Sequence, residues 1–235
     1  MKKIFVVLLS VPCFMACKKN STAVDIAPAP AVAKVKTAAY GSNVATYTYD
    51  DQGRQLKVVL SDGGRAEYEY LPGVINRKFY GPSSTYLYTM KFELNSDGLC
   101  IRETVSSDPV YESLLKYNTD KSIAQNIVHN SLQTTQMDYF YSNGKCDSVR
   151  STSAGKWLST AIETYYTNKP NVLSGINTGE SFLGKPDAYM LKSQLQLPGN
   201  TLLEFSYEYD AQGRVTKRST AAAGGYTTDG FYTYY

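Results

Sequence analysis

The chain has 235 residues, 43% of them hydrophobic, with a formal net charge of +3, one His, one Trp, four Cys and 21 Tyr. So balanced a charge lacks the concentrated basic face that nucleic acid requires, and no nucleic-acid partner is expected. One histidine and a few scattered cysteines give no metal-ligand spacing, so no metal or cofactor is expected either.

The chain opens MKKIFVVLLSVPCFMAC. Lys2 and Lys3 form a basic start. Ile4 to Leu9 is an apolar core far short of the roughly 20 residues that span a bilayer. The segment therefore reads as a secretory leader. Its end, Phe14-Met15-Ala16-Cys17, resembles a bacterial lipobox, with Phe14 where Leu is usual. The resemblance implies cleavage after residue 16 and acylation of Cys17. Acyl chains contribute about 0.8 kcal/mol per buried methylene, so the expected partner is a membrane, reached through a lipid anchor. No Asp follows Cys17. By resemblance to enteric lipoproteins this implies the outer membrane, facing the periplasm or the cell surface. Losing Lys2 and Lys3 with the leader brings the charge to +1. Residues 17–40, rich in Ala, Pro, Thr and Val with an APAP stretch, read as a flexible tether.

Residues 47–57 then read YTYDDQGRQLK, and residues 207–217 read YEYDAQGRVTK, identical at seven of eleven positions. Tyr47 and Tyr49 share one face of a strand. Asp50 to Gly53 is turn chemistry, and Leu56, Val58 and Leu60 alternate on a return strand. The phrase predicts a β-hairpin. Weaker copies follow in order. Tyr68-Glu69-Tyr70 turns at Gly73, and the alternating row Tyr86 to Leu94 turns at Gly98. Tyr117 turns at Asp120, Tyr139 to Tyr141 turn at Gly144, and Tyr165-Tyr166 approach Asn171. Turn glycines 53, 73, 98, 144 and 213 give an underlying period of about 20–26 residues, the mark of a repeat architecture. The segment from Asn177 to Leu197 breaks this rhythm and is expected to form a loop and short helix plugging one end of the sheet.

Y-x-Y-D-x-x-G-R resembles the YD repeat of Rhs and teneurin-type proteins, matched by Tyr47, Tyr49, Asp50, Gly53 and Arg54 and by Tyr207, Tyr209, Asp210, Gly213 and Arg214. The chain as a whole resembles envelope lipoproteins that carry such hairpins after a lipobox. The resemblance implies sequential hairpins and no particular activity. The expected fold is all-β: tandem antiparallel hairpins, a meander over residues 41–235, forming one large twisted, curled sheet or open barrel. A transmembrane barrel, suggested by the terminal FYTYY, is the alternative, but a lipid tether is redundant for an embedded barrel.

No nucleophile elbow, metalloprotease helix, P-loop or dinucleotide phrase is present. His129 stands alone and reads as a surface residue. Leader cleavage and acylation leave Cys100 and Cys146, each two residues after a turn glycine. They are a candidate disulfide, although intervening strands about 4.8 Å apart would hold them too far from each other. Most tyrosines read as strand packing. Trp157, Arg54 and Arg214 are candidate ligand contacts, with the two arginines more simply explained as partners of the turn aspartates. The expected function is a lipid-anchored envelope protein acting as a non-catalytic binding or scaffolding module for a glycan, a peptide or an outer-membrane partner. One alternative is a carrier of an apolar ligand in the concave face. A second is a hydrolase.

Overall fold

The structure is a computed structural model and describes residues 33–222 and 225–235. The leader, Cys17 and the tether up to residue 32 lie outside the described residues.

Sixteen strands run in sequence order and pair only with their chain neighbours, and the last returns to the first to close a barrel. They are β1 (Val35–Tyr40), β2 (Asn43–Tyr49), β3 (Gln55–Leu60), β4 (Arg65–Leu71), β5 (Val74–Tyr80) and β6 (Tyr86–Leu94). There follow β7 (Cys100–Val105), β8 (Asp108–Tyr117), β9 (Ile123–His129), β10 (Thr134–Ser142) and β11 (Lys145–Ser153). The rest are β12 (Lys156–Pro170), β13 (Tyr189–Leu197), β14 (Thr201–Tyr209), β15 (Val215–Ala222) and β16 (Thr227–Tyr234). The all-β meander expected from the sequence is therefore present, and it is closed rather than open. Closure depends on β1, whose Ala38 lies opposite Tyr232 of β16. Residues 35–40, which the sequence assigned to the tether, belong to the barrel.

The repeated phrase builds each hairpin the same way. At Asp50, the Gly53 N–H donates to the Asp50 carbonyl at 2.9 Å, and the Asp50 N–H donates to the Arg54 carbonyl at 2.9 Å. Gly53 stands at φ +73°, which a glycine adopts without strain. The same pair of bonds recurs at Asp210–Arg214, Asn95–Leu99 and Asn118–Ser122. Beside these turns, and beside the Gly144 turn, the register slips by one residue. Such a bulge bends the strand and increases its twist, which helps the sheet to curl shut.

Alternation then sorts the two faces. Ala66 and Tyr68, Ile75, Phe92 and Leu115 face inward, where they form a core with Phe182. A second core joins Val35, Ala38, Met190, Val215 and Tyr232. The intervening positions face out, and many are charged. Cross-strand ion pairs include Lys57–Glu67, Lys78–Glu69, Arg102–Glu93, Arg102–Glu112 and Lys217–Asp229. A lipid-facing wall would carry an apolar band about 25 Å tall between aromatic girdles. Among the described residues this wall carries outward apolar rows such as Phe140–Ser148–Ile162–Leu195–Leu202 across β10 to β14, broken by Ser148, and Val44–Ala39–Phe231 across β2, β1 and β16. No helix among the described residues is long and apolar enough to cross a membrane.

The connection between β12 and β13 is the plug. It holds a one-turn helix, α1 (Gly175–Thr178), and a 3-10 turn (Ser181–Leu183). The rest of the segment that breaks the rhythm, Tyr189–Leu197, is strand β13. Phe182 packs on Phe92 with ring centroids 5.0 Å apart. The plug bonds the β2–β3 turn (Gln55 N–H to the Gly179 carbonyl, 3.4 Å) and the β8–β9 turn (Lys185 N–H to the Lys121 carbonyl, 2.9 Å). It also accepts the Cys146 N–H on Asp187 at 2.8 Å. In a meander every second turn lies at the same end, so all the YD-like turns ring the plugged end. The other end is left for the β3–β4 and β5–β6 turns and their equivalents.

Cys100 and Cys146 are buried free thiols, not a disulfide. They sit on β7 and β11, with three strands between them.

Candidate functional site

The cavity of interest runs from the plug to the opposite rim, against the wall of β2 to β6, with a volume of about 420 Å³. Its walls are Tyr47, Val58, Leu60, Ala66, Phe79 and Leu87, and its rim carries Asp62 and Pro82. These residues come together because Tyr47 is opposite Val58, Val58 opposite Ala66 and Ala66 opposite Phe79, one cross-strand row facing inward. Gln55, Tyr68, Arg77 and Glu180 form the floor.

The floor is a charged knot under apolar cover. Arg77 Nη1 donates to Glu180 Oε1 and to Tyr68 Oη, both at 3.0 Å. The Tyr68 hydroxyl donates to the same carboxylate oxygen at 2.8 Å. The guanidinium stacks 5.1 Å from Phe79 and 5.2 Å from Phe92. Burial pushes the Tyr68 phenol up, the Glu180 charge reinforces this, and the phenol remains a donor. Burial also raises the Glu103 carboxyl, against the pull of the Tyr111 hydroxyl and the Arg77 charge. Two polar atoms of the floor are buried without a partner among the described residues, Arg77 Nε and Gln55 Oε1. Gln55 as a whole is only 2% exposed.

Opposite this knot a second polar junction ties the plug to β12. The Tyr165 hydroxyl lies 2.6 Å from Glu163 Oε2 and 2.9 Å from Asp187 Oδ2, and Gln194 donates to Glu163 at 2.8 Å. A single phenolic proton serves one carboxylate at a time, so the junction is a fastening for the plug.

The residues singled out in the sequence do not converge. Arg54 Nε donates to Asp50 Oδ2 at 2.6 Å, and its guanidinium lies 4.2 Å over the Tyr70 ring. Arg214 repeats the bond to Asp210 at 2.7 Å and lies 5.1 Å from the Tyr234 ring. Both border recesses at the plugged end, of about 410 Å³ beside Pro72 and Phe182 and about 300 Å³ beside Ile176 and Pro186 respectively. Trp157 stands on the outer wall near the other end, 46% exposed, its Nε1 donating to Thr160 Oγ1 at 2.9 Å. The His129 ring Nδ1 pairs with Thr134 Oγ1 at 2.9 Å. Among the described residues, no group of three or more His, Cys, Asp or Glu is placed to hold a metal ion.

Sequence reasoning missed Arg77 and Glu180. Arg77 carries one legible signal. It sits between Ile75 and Phe79 at the inward spacing, a charge in the middle of an apolar row. Such a charge needs a buried partner, and Glu180 in the plug is far from it in sequence.

No protein-family model and no curated protein matches this chain. Solved structures do. A porin-like protein from Bacteroides uniformis superposes with a TM-score of 0.65 at 15% identity, over 85% of this chain and 95% of that one. A porin-like protein from Bacteroides vulgatus gives 0.58 at 13% identity, over 86% and 99%. The likeness is one of fold. A TcdB2-TccC3-Cdc42 complex also matches, at 15% identity over 74% of this chain and 11% of that chain, but its TM-score of 0.40 is too low to support a conclusion.

Proposed function

We propose that this chain is a lipid-anchored envelope protein whose barrel is a non-catalytic binding module, taking a small, partly apolar molecule into the cup above the plug. The observation that carries this reading is the cup itself: apolar walls above a floor where Arg77, Tyr68 and Glu180 bond one another, the form that small-molecule sites usually take. The porin-like names of its fold neighbours suit an envelope location. Binding on the outer face is less favoured, because the aromatic rows face inward and the outer wall carries cross-strand ion pairs. A hydrolytic role finds little support, since the floor carboxylate of Glu180 is already engaged by Arg77 and Tyr68.

The ion pairs on the outer wall and the lipobox-like leader support lipid anchoring over spanning. Cys17→Ser expressed in a diderm host should move from the membrane to the soluble fraction, and retention of that variant in the membrane would contradict the anchor. Binding is tested with a neutral apolar dye such as Nile red. Saturable fluorescence is expected with the wild type and is lost with Leu60→Trp, which fills the cup at a position 44% exposed and so tolerant of size. Equal dye uptake by both proteins would place binding elsewhere.

A further inference from the structure

The recess of about 300 Å³ at the plugged end is lined by Pro170, Val172, Ile176, Pro186, Ala188 and Tyr234. Ala33, the first described residue, is also part of its lining. We infer that this recess is the seat of the chain's own residues 26–32, the part of the tether that leads into Ala33.

The backbone delivers the segment to this place. Asn177 Nδ2 in the plug donates to the Ala33 carbonyl at 3.1 Å, and Lys34 Nζ donates to the Ile176 carbonyl at 2.7 Å. From the other side, the Tyr235 N–H donates to the Lys34 carbonyl at 3.2 Å. Ala33 is thus pinned at the recess, and Val32 is one peptide unit away, about 3.8 Å between Cα atoms. Residues 26–32 therefore start their path toward Cys17 from the recess wall.

The chemistry of recess and segment agrees. The polar side chains bordering the recess are already engaged. Ser174 Oγ bonds Asn177 at 2.9 Å, and Asn171 Nδ2 donates to the Asp187 carbonyl at 3.2 Å. Lys185 meets Asp120 at 2.9 Å, Arg214 meets Asp210 at 2.7 Å, and Asp187 accepts the Cys146 N–H and the Tyr165 hydroxyl. What is left to cover is apolar, with Ile176 38% exposed. Residues 26–32 read IAPAPAV, without one polar side chain, whereas residues 18–25 read KKNSTAVD. Pro28 and Pro30 have no N–H to leave unpaired against an apolar wall, and they favour the extended polyproline conformation. A chain already held in that form gives up little entropy on docking, and aromatic-lined grooves take such chains, with Tyr234 as the aromatic wall here. Resting on the anchor reading above, seating leaves residues 18–25 as the free span. Their reach is at most about 30 Å, against about 50 Å for residues 18–32, and it turns the plugged end toward the bilayer.

The test is maleimide labelling of the chain from residue 17 onward, with Cys17→Ser so that no lipid or free thiol remains there. Cys100 and Cys146 are buried and stay silent. Single reporters are Ala27→Cys and Ala29→Cys in the segment and Asn20→Cys upstream of it. Three residues make one polyproline turn, so positions 27 and 29 point in different directions. The slower of the two should react about tenfold more slowly than position 20. Ile176→Glu, which puts a charge into the recess, should restore the fast rate. Should that variant not fold, Pro28→Ser with Pro30→Ser leaves the barrel untouched and should raise the same rate. Equal rates at positions 20, 27 and 29, or protection that survives both sets of changes, overturn the inference. Protection that grows with protein concentration also overturns it and assigns the recess to a second copy of the chain. The protein under test carries no lipid and no cup ligand, so failure here leaves the anchor and cup readings to their own tests.

Discussion

At the scale of single residues, the tyrosines do more than fill one face of a sheet. Four of them reach back across a hairpin to the first residue of the preceding strand. Tyr49 donates to the Val35 carbonyl (2.6 Å), Tyr70 to Gln55 (2.9 Å), Tyr117 to Cys100 (2.7 Å) and Tyr234 to Val215 (2.9 Å). Each bond fastens two strands at the plugged end and satisfies a carbonyl beside a bulge. This explains why the sequence uses Tyr there rather than Phe. Tyr70→Phe, Tyr117→Phe and Tyr234→Phe should each cost about 1 kcal/mol in urea unfolding, the usual net contribution of one buried hydrogen bond. Tyr209 is the control, because its hydroxyl is buried with no partner among the described residues, and Tyr209→Phe should be neutral or stabilising. The turn aspartates act similarly. Asp50 Oδ1 accepts the N–H groups of Gln52 at 3.0 Å and Arg54 at 2.8 Å, and Oδ2 takes the Arg54 side chain. The arginine of the repeated phrase is thus accounted for by its own turn.

Acid should act through another such carboxylate. Ser122 and Lys185 hold the Asp120 carboxyl down to about 2 from an ordinary value of 3.8. A depressed native value means that the contribution is present above the unfolded value and is lost as pH falls through the native one. The urea midpoint should therefore drop between pH 4 and 2, and Asp120→Asn should flatten that part of the curve. An unchanged acid profile in the variant would show that the Lys185–Asp120 bridge does not hold the plug. The Tyr pairs and the Asp–Gly turns were legible from letter order alone. The latching hydroxyls were not, because a period-two pattern states which face a side chain takes and not what its far end touches.

At the scale of elements, the hairpins were readable because each carries its own turn chemistry and alternation. The plug was readable only as an interruption. Its fit against the wall depends on contacts that are distant in sequence. A Cβ on Gly184 would lie 2.7 Å from the Tyr117 ring and 2.8 Å from the Lys121 carbonyl, with φ at +101°. A Cβ on Gly213 would meet nothing within 4 Å, although φ is +76°. Gly184→Ala should therefore cost about 2–4 kcal/mol, from overpacking added to strain, and Gly213→Ala only about 1. Equal costs would mean that the plug is not wedged. The two post-turn cysteines occupy equivalent places in their hairpins, and burial pushes both thiols up to about 12. Maleimide should label neither in the native protein and both in 6 M guanidinium, and reduction should leave the mass unchanged. β1 was misread because VKTAAY has the small and polar composition of the tether before it, and its strand character comes from pairing with β16 at the far end of the chain.

At the scale of the whole molecule, closure turns a repeat of hairpins into a vessel. Sixteen strands make a barrel wide enough to enclose space. The plug and two aromatic cores fill the end where the YD-like turns lie, and the space that remains opens toward the other. The outer wall carries cross-strand ion pairs. Its half-exposed ion pairs contribute little each, below about 1 kcal/mol. The cup and the plug are the two features on which the proposed binding role rests. None of the three residues favoured from the sequence for ligand contact lies in the cup, because a ligand site on a barrel interior is assembled from positions several strands apart.

The most direct test is a crystal structure of the barrel, residues 33–235 with the tether removed, soaked with 1-decanol. The account predicts density for the hydrocarbon chain in the cup, between Val58, Leu60 and Phe79. Density confined to the recesses beside Arg54 or Arg214, to the outer wall at Trp157, or to no site within the barrel would contradict it.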